Sequence, residues 1–181
     1  ENIDISKYDF IYACAQKNFG PSGITLVIAK KELLEKSNTD LPNILKYDAH
    51  ANEGSMLNTP NTFGWYVAGK MFDWYLENGG VAEMEKQSMA KTAILYELID
   101  KSDFYINPVN PKQRSINNVV FTIVNSELEK VFLQEAEKAD FKYLKGHRSV
   151  GGMRASIYNP MKIESVFALK EFMENFEKNY G

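Results

Sequence analysis

Apolar positions along the chain change their rhythm close to Ser102. Before that point, residues 9–16 and 24–29 carry the runs "FIYACAQ" and "ITLVIA", rich in aromatic and β-branched side chains, which predict two buried strands. Between them lies "KNFGPSG", where Gly20, Pro21 and Gly23 punctuate a turn. "KKELLEKS" (30–37) predicts a short helix, and residues 38–62 a long irregular connection of the kind that is functional when ordered. Apolar and aromatic residues then crowd a helix over 63–78 that stops at "NGG". A second helix over 81–101 offers Ala82, Met89, Ala93, Ile94 and Leu98 as inner positions. Past Ser102, short strands alternate with helices. "FYINPV", "NNVVFTIV", "FKYL" and "MRASIY" predict strands. "SELEKVFLQEAEKA" predicts a helix with Ser126 as N-cap and Glu129 three residues on, and "KIESVFALKEFMENFEKNY" an amphipathic closing helix. The mixture predicts a compact α/β layer domain over residues 80–181, preceded by a different part over 1–79.

Composition narrows the function classes. The 181 residues are 44% hydrophobic and 25% charged, enough for a real core. A net charge of -3 and a pI near 5.5 argue against a nucleic-acid groove or an anionic membrane surface. Cys14 is the only cysteine, which excludes an intrachain disulfide and argues against a structural zinc site. No apolar run approaches the roughly 20 residues that span a bilayer. "ENIDISKYDF" lacks the basic start and apolar stretch of a signal peptide, so a cytoplasmic location is expected. The chain opens at Glu1 rather than methionine and enters a strand almost at once, so it is expected to be the second half of something larger.

Three stretches carry candidate chemistry. Lys17 closes an uncharged run directly before the turn. A lysine at a strand end usually snorkels to solvent, yet a strand can also deliver an amine into a partly desolvated pocket. There the neutral amine attacks a carbonyl to form a Schiff base. In "KGHRSVGGMRASIY" (145–158), Lys145, His147, Arg148 and Arg154 gather around Gly146, Gly151 and Gly152. A basic loop entering an edge strand is the plain reading. The sharper one is a small anion held by planar guanidinium forks, with His147 as a further donor. "GSMLNTPNT" (54–62) sets Asn58 and Thr59 ahead of the aromatic helix, as a turn and N-cap or as phosphate ligands at a helix N-terminus. His50 has no partner at a recognisable spacing and is expected to be a loop histidine. No metal-ligand pair is present in the pattern.

"AQKNFGPSG", "SMLNTPNTF" and "GHRSVGGMRASIYN", in that order and with "NGGVAEMEK" and "SDFY" between them, resemble the phosphoserine aminotransferase family. The resemblance covers essentially the whole chain. It implies the C-terminal part of the type I pyridoxal-phosphate transferase fold, with the end of the large cofactor-binding domain over 1–79 and a small α/β domain over 80–181. It implies pyridoxal 5'-phosphate bound covalently to Lys17, which also moves the proton at the substrate α-carbon, and Gln16 at the cofactor phosphate. Asn58 and Thr59 would reach the cofactor phosphate of a neighbouring copy in a homodimer. His147 and Arg148 would hold the distal anion of the substrate, and Arg154 its α-carboxylate.

The reaction implied moves an amino group between L-glutamate and 3-phosphohydroxypyruvate, giving 2-oxoglutarate and phosphoserine, in serine and pyridoxine biosynthesis. The alternatives are a related aminotransferase of the alanine–glyoxylate or serine–pyruvate type, and a non-enzymatic assembly module. In family order, the ring that stacks on the cofactor and the aspartate that pairs with its pyridine nitrogen precede Glu1. The chain alone is therefore expected to be inactive.

Overall fold

The two apolar runs near the start pair with each other. In the computed structural model, which describes residues 2–36 and 38–181, β1 (Phe10–Cys14) and β2 (Thr25–Ala29) form an antiparallel ladder. Tyr12 faces Val27 and Cys14 faces Thr25. Glu1, the expected point of entry, and Ser37, the end of the expected 30–37 helix, lie outside the described residues; the helix itself, α1, spans Lys31–Leu34. The expectation of buried strands is corrected: no residue of β1 or β2 is buried, and Tyr12, Leu26 and Ile28 stand exposed. A two-stranded ribbon has two unpaired edges and is covered only in part, as where Phe10 meets the Tyr47 ring, so apolar composition alone does not bury it.

The expected irregular connection is partly helical. A 3-10 turn at Asn43–Leu45 is followed by α2 (Tyr47–Asn52). His50 sits in that helix, its Nε2 3.0 Å from the Ile44 carbonyl oxygen, and is not a loop histidine. Next comes α3 (Thr62–Glu77), where Asn61 accepts from the Gly64 N–H as N-cap. The cap is Asn61, not the Asn58–Thr59 pair. α3 ends at Asn78, and α4 (Gly80–Lys101) follows with positive φ at Gly79 and Gly80.

The chain divides into two compact units, Glu1–Val81 and Ala82–Gly181. In the second, β3 (Tyr105–Ile106), β4 (Asn118–Ile123) and β5 (Met153–Ser156) form an antiparallel sheet in the order β3-β4-β5. Strand alternation divides its faces. Tyr105, Val119, Phe121, Ile123, Met153 and Ala155 are buried, in one cluster with residues of α4, α5 (Leu128–Lys138) and α6 (Ile163–Tyr180). Phe132 is the hub, meeting Tyr105, Phe121, Phe172 and Phe176 edge-to-face. Each such side chain, fully buried, stabilises the unit by about 1.5–3 kcal/mol. Val120, Thr122, Arg154 and Ser156 alternate onto the other face and are only partly buried.

Three further expectations are corrected here. The fully buried face of α4 is Met84, Ser88, Lys91, Thr92, Leu95 and Ile99; the expected Ile94 and Leu98 pack half-buried against the core, while Ala82, Met89 and Ala93 are exposed. Ser126 does not cap α5 with its side chain; the Asn125 side chain accepts from the Glu127 N–H instead, and the helix begins at Leu128. "FKYL" is not a strand. Asp140 and Tyr143 take positive φ of 64° and 62°, which breaks an extended run, and only Lys145 bridges to Met153. Among the described residues, no helix is long and apolar enough to cross a membrane.

Candidate active site

β1 stops at Cys14, and a 3-10 turn over Ala15–Lys17 carries the chain away from the ladder. The fully buried Ala15 anchors this turn. Its N–H donates to the Ile24 carbonyl, and its own carbonyl accepts from the N–H groups of Asn18, Phe19 and Gly20. Gly20 packs closely here: a Cβ would lie 3.3 Å from the Ala15 methyl, a tight contact, and 3.4 Å from that of Ala68 on α3. Lys17 is the last residue of the turn, three positions beyond the strand end. It is exposed, as is Gln16, so the expectation of a partly desolvated amine is not met by the residues of this chain. Its amine has no ion-pair partner among the described residues.

Tyr75 was invisible to motif reading, because 57 residues separate it from Asn18. Its hydroxyl lies 2.9 Å from both the Asn18 carbonyl and the Asn18 Oδ1, pinning the residue next to Lys17 to α3. Only an aromatic residue at the right turn of that helix could have hinted at it. Asn58 and Thr59 are exposed in the approach to α3, with Asn58 Nδ2 donating to the Thr59 carbonyl at 3.1 Å. Both residues are exposed on this loop, where a ligand or another chain can reach them.

The second unit holds the other candidates on one hairpin. The Arg154 N–H donates to the Leu144 carbonyl at 2.7 Å, and the Gly146 N–H to the Gly152 carbonyl at 2.8 Å. His147 and Arg148 lie at the exposed tip, with His147 Nδ1 2.7 Å from Ser149 Oγ. Arg154 lies at the base, opposite Val120 of β4. Its Nε is cut off from solvent and has no hydrogen-bond partner among the described residues. A guanidinium whose Nε is already shielded from water loses less hydration when its remaining N–H groups take an anion, which makes an anion the natural partner of this arginine. Lys145, Arg148 and Arg154 have no ion-pair partner among the described residues.

A groove of about 530 Å³ runs between α5 and this hairpin, its charged lining made of Glu129, Lys130 and Glu137 on one side and Lys145, His147 and Arg148 on the other. Arg154 is not part of its lining. Three cations, Lys130, Lys145 and Arg148, outweigh the two carboxylates in the groove, so it keeps a net positive lining beside the separate Arg154 position.

The aminotransferase class-V family model matches residues 1–169. The chain is 52% identical over 179 residues to a phosphoserine aminotransferase of Acinetobacter baylyi, covering 99% of this chain and 50% of that protein. A solved phosphoserine aminotransferase from Bacillus circulans subsp. alkalophilus superposes with a TM-score of 0.95 at 42% identity, over 99% of this chain and 50% of that one. A PLP-bound phosphoserine aminotransferase from Trichomonas vaginalis superposes with a TM-score of 0.87 at 35% identity, over 95% and 49% respectively. The chain spans about half the length of the curated relatives it matches.

Proposed function

The chain belongs to the class-V aminotransferase family, and from that premise we propose that the whole protein is a phosphoserine aminotransferase. It moves an amino group between L-glutamate and 3-phosphohydroxypyruvate, yielding 2-oxoglutarate and phosphoserine, and acts in serine biosynthesis in the cytoplasm. Pyridoxal 5'-phosphate, when bound, supplies a reactive aldehyde and an electron sink. The residues present fit such a group: Lys17 offers an exposed amine on a turn braced by Ala15, Gly20 and Tyr75. Lys17 Nζ would hold the cofactor covalently and, once released by the substrate amine, would move the proton at the substrate α-carbon. Gln16 binds the cofactor phosphate. Asn58 and Thr59 serve the phosphate site of a second copy, which makes the active protein a homodimer.

The observation that carries the reading is Arg154, its Nε solvent-excluded and without a partner among the described residues, six residues from Arg148 on the same hairpin. One hairpin thus presents two cationic positions, suited to a substrate with an α-carboxylate and a second, distal anion. Arg154 takes the carboxylate, and His147 with Arg148 takes the distal group.

The test is steady-state turnover of the full-length protein with 3-phosphohydroxypyruvate and with glyoxylate as acceptors. The phosphorylated acceptor is expected to be strongly preferred; a preference for glyoxylate would give the protein to the alanine–glyoxylate type instead. Lys17→Ala in the same protein is expected to abolish turnover and the borohydride-stable attachment of cofactor. Attachment at the original stoichiometry would assign another lysine.

A further inference from the structure

Residues 144–154 close on themselves chiefly through backbone. The Gly146 N–H reaches the Gly152 carbonyl, and the His147 carbonyl accepts from the N–H groups of Val150 and Gly151 at 2.9 and 2.8 Å. Gly146 has no room for a side chain. A Cβ there would lie 2.0 Å from the Gly151 oxygen and 2.7 Å from the Gly152 oxygen. Both obstacles are backbone, so no rotamer change relieves them and the hairpin must open.

The base resists that opening. Gly152, at φ 62°, lies so close to β4 that its own Cβ would meet the Phe121 oxygen at 2.8 Å, and Arg154 is fixed in register with Val120. Opening therefore displaces the tip, with His147 and Arg148, and leaves Arg154 where it is. Ser149 governs the tip a second way. Its backbone N–H lies 3.3 Å from His147 Nδ1 and its hydroxyl 2.7 Å. A backbone N–H only donates, so Nδ1 accepts and the proton of the neutral ring sits on Nε2, free of the hairpin's own bonds.

We propose that Gly146 and Ser149 are positioning residues that set selectivity for substrates with a distal dianion. They hold the His147 Nε2–H and the Arg148 guanidinium at a fixed offset from Arg154. The inference rests on the roles proposed above for His147, Arg148 and Arg154, and it adds what keeps those groups in place. A substrate without the distal anion makes no use of the offset, so the selectivity ratio reads it directly.

The experiment uses the full-length holoenzyme as wild type, Gly146→Ala, Ser149→Ala and Arg148→Ala. Two quantities are measured: the ratio of kcat/KM for O-phospho-L-serine to that for L-alanine, and amide hydrogen exchange at Val150 and Gly151. Gly146→Ala is expected to lower the ratio about tenfold or more and to speed exchange at both amides. Ser149→Ala is expected to lower the ratio about threefold, with exchange at Gly151 little changed. If Arg148→Ala leaves the ratio intact, the reading of the distal site is wrong and the inference falls with it. If Arg148→Ala lowers the ratio while Gly146→Ala or Ser149→Ala does not, the inference alone is overturned. Should Gly146→Ala fail to fold, the Ser149→Ala ratio decides.

Discussion

Tyr105 donates its hydroxyl hydrogen to the Met173 carbonyl, 2.9 Å away, from a position only 2% exposed. Burial, with the Glu177 carboxylate adding to it, pushes its pKa well above the ordinary 10.0. Above that ordinary value the unfolded chain gives up the phenolic proton while the folded chain keeps it. The stability this residue contributes is therefore complete below about pH 10 and is lost as pH rises toward the folded pKa. Tyr105→Phe is expected to cost about 1 kcal/mol at neutral pH and to flatten the alkaline loss. Urea unfolding at a series of pH values checks this, and identical alkaline slopes in the two proteins would refute it. Arg154 makes a functional counterpart at the same scale. Its Nε is already desolvated, so Arg154→Ala is expected to cost on the order of 2–5 kcal/mol in kcat/KM for every amino acid substrate of the full-length protein, alanine included. A loss confined to dianionic substrates would move the carboxylate site elsewhere. The "GGMR" motif made this arginine legible in the sequence. That its Nε is buried without a partner was not legible, because that depends on the register of β5 against β4.

The helix α4 shows how an element is misread when its buried face is polar. Apolar periodicity favours Ala82, Met89 and Ala93, yet the face turned inward includes Ser88, Lys91 and Thr92. Lys91 is 3% exposed, and its ammonium donates to the carbonyls of Tyr158, Asn159 and Met161 at 3.1, 3.0 and 3.2 Å. Ser88 adds a bond to Asn159 Oδ1. These bonds fasten the segment that leaves β5 to α4, using carbonyls that no strand or helix satisfies. Burial lowers the lysine pKa, while the three carbonyls favour its charged form. Lys91→Met keeps the stem and removes the donors, and is expected to destabilise the protein by about 1–3 kcal/mol in chemical denaturation. A change below about 0.5 kcal/mol would mean that water replaces the ammonium at no cost. No apolar pattern announces a lysine used this way. The other missed element, "FKYL", fails for a different reason: Asp140 is a residue that tolerates positive φ, but the positive φ of the bulky Tyr143 comes from the tertiary path. The elements that were legible, α3, α6 and the strands of the second sheet, have periodic faces that agree with their tertiary cover.

Across the whole chain the two units differ in how much of their apolar surface finds cover. Residues 82–181 enclose a cluster from Leu95 to Phe176. In the first unit, the only described residues that are buried are Ala15, Gly64 and Ala68, while Tyr12, Phe63, Tyr66 and Leu76 are 65–76% exposed. Apolar composition in β1 and α3 thus reports surfaces that require a partner, which is why the sequence pattern suggested burial that the chain by itself does not supply. The relatives, twice as long, have about as much protein again to place against such surfaces. The polypeptide 1–181 produced alone is expected to show this division in hydrogen exchange. Amides of β4 and α6 should be slow, and those of β1, β2 and the first turns of α3 faster by orders of magnitude. It should self-associate in light scattering, bind pyridoxal phosphate weakly and show no transamination of glutamate. Supplying the remainder of the full-length protein should slow exchange in β1 and β2 specifically, since unpaired edges gain partners there while the second core is already complete. A monomeric 1–181 with uniformly slow exchange and its own glutamate turnover would overturn the argument that the exposed face of the first unit is a surface built to be covered.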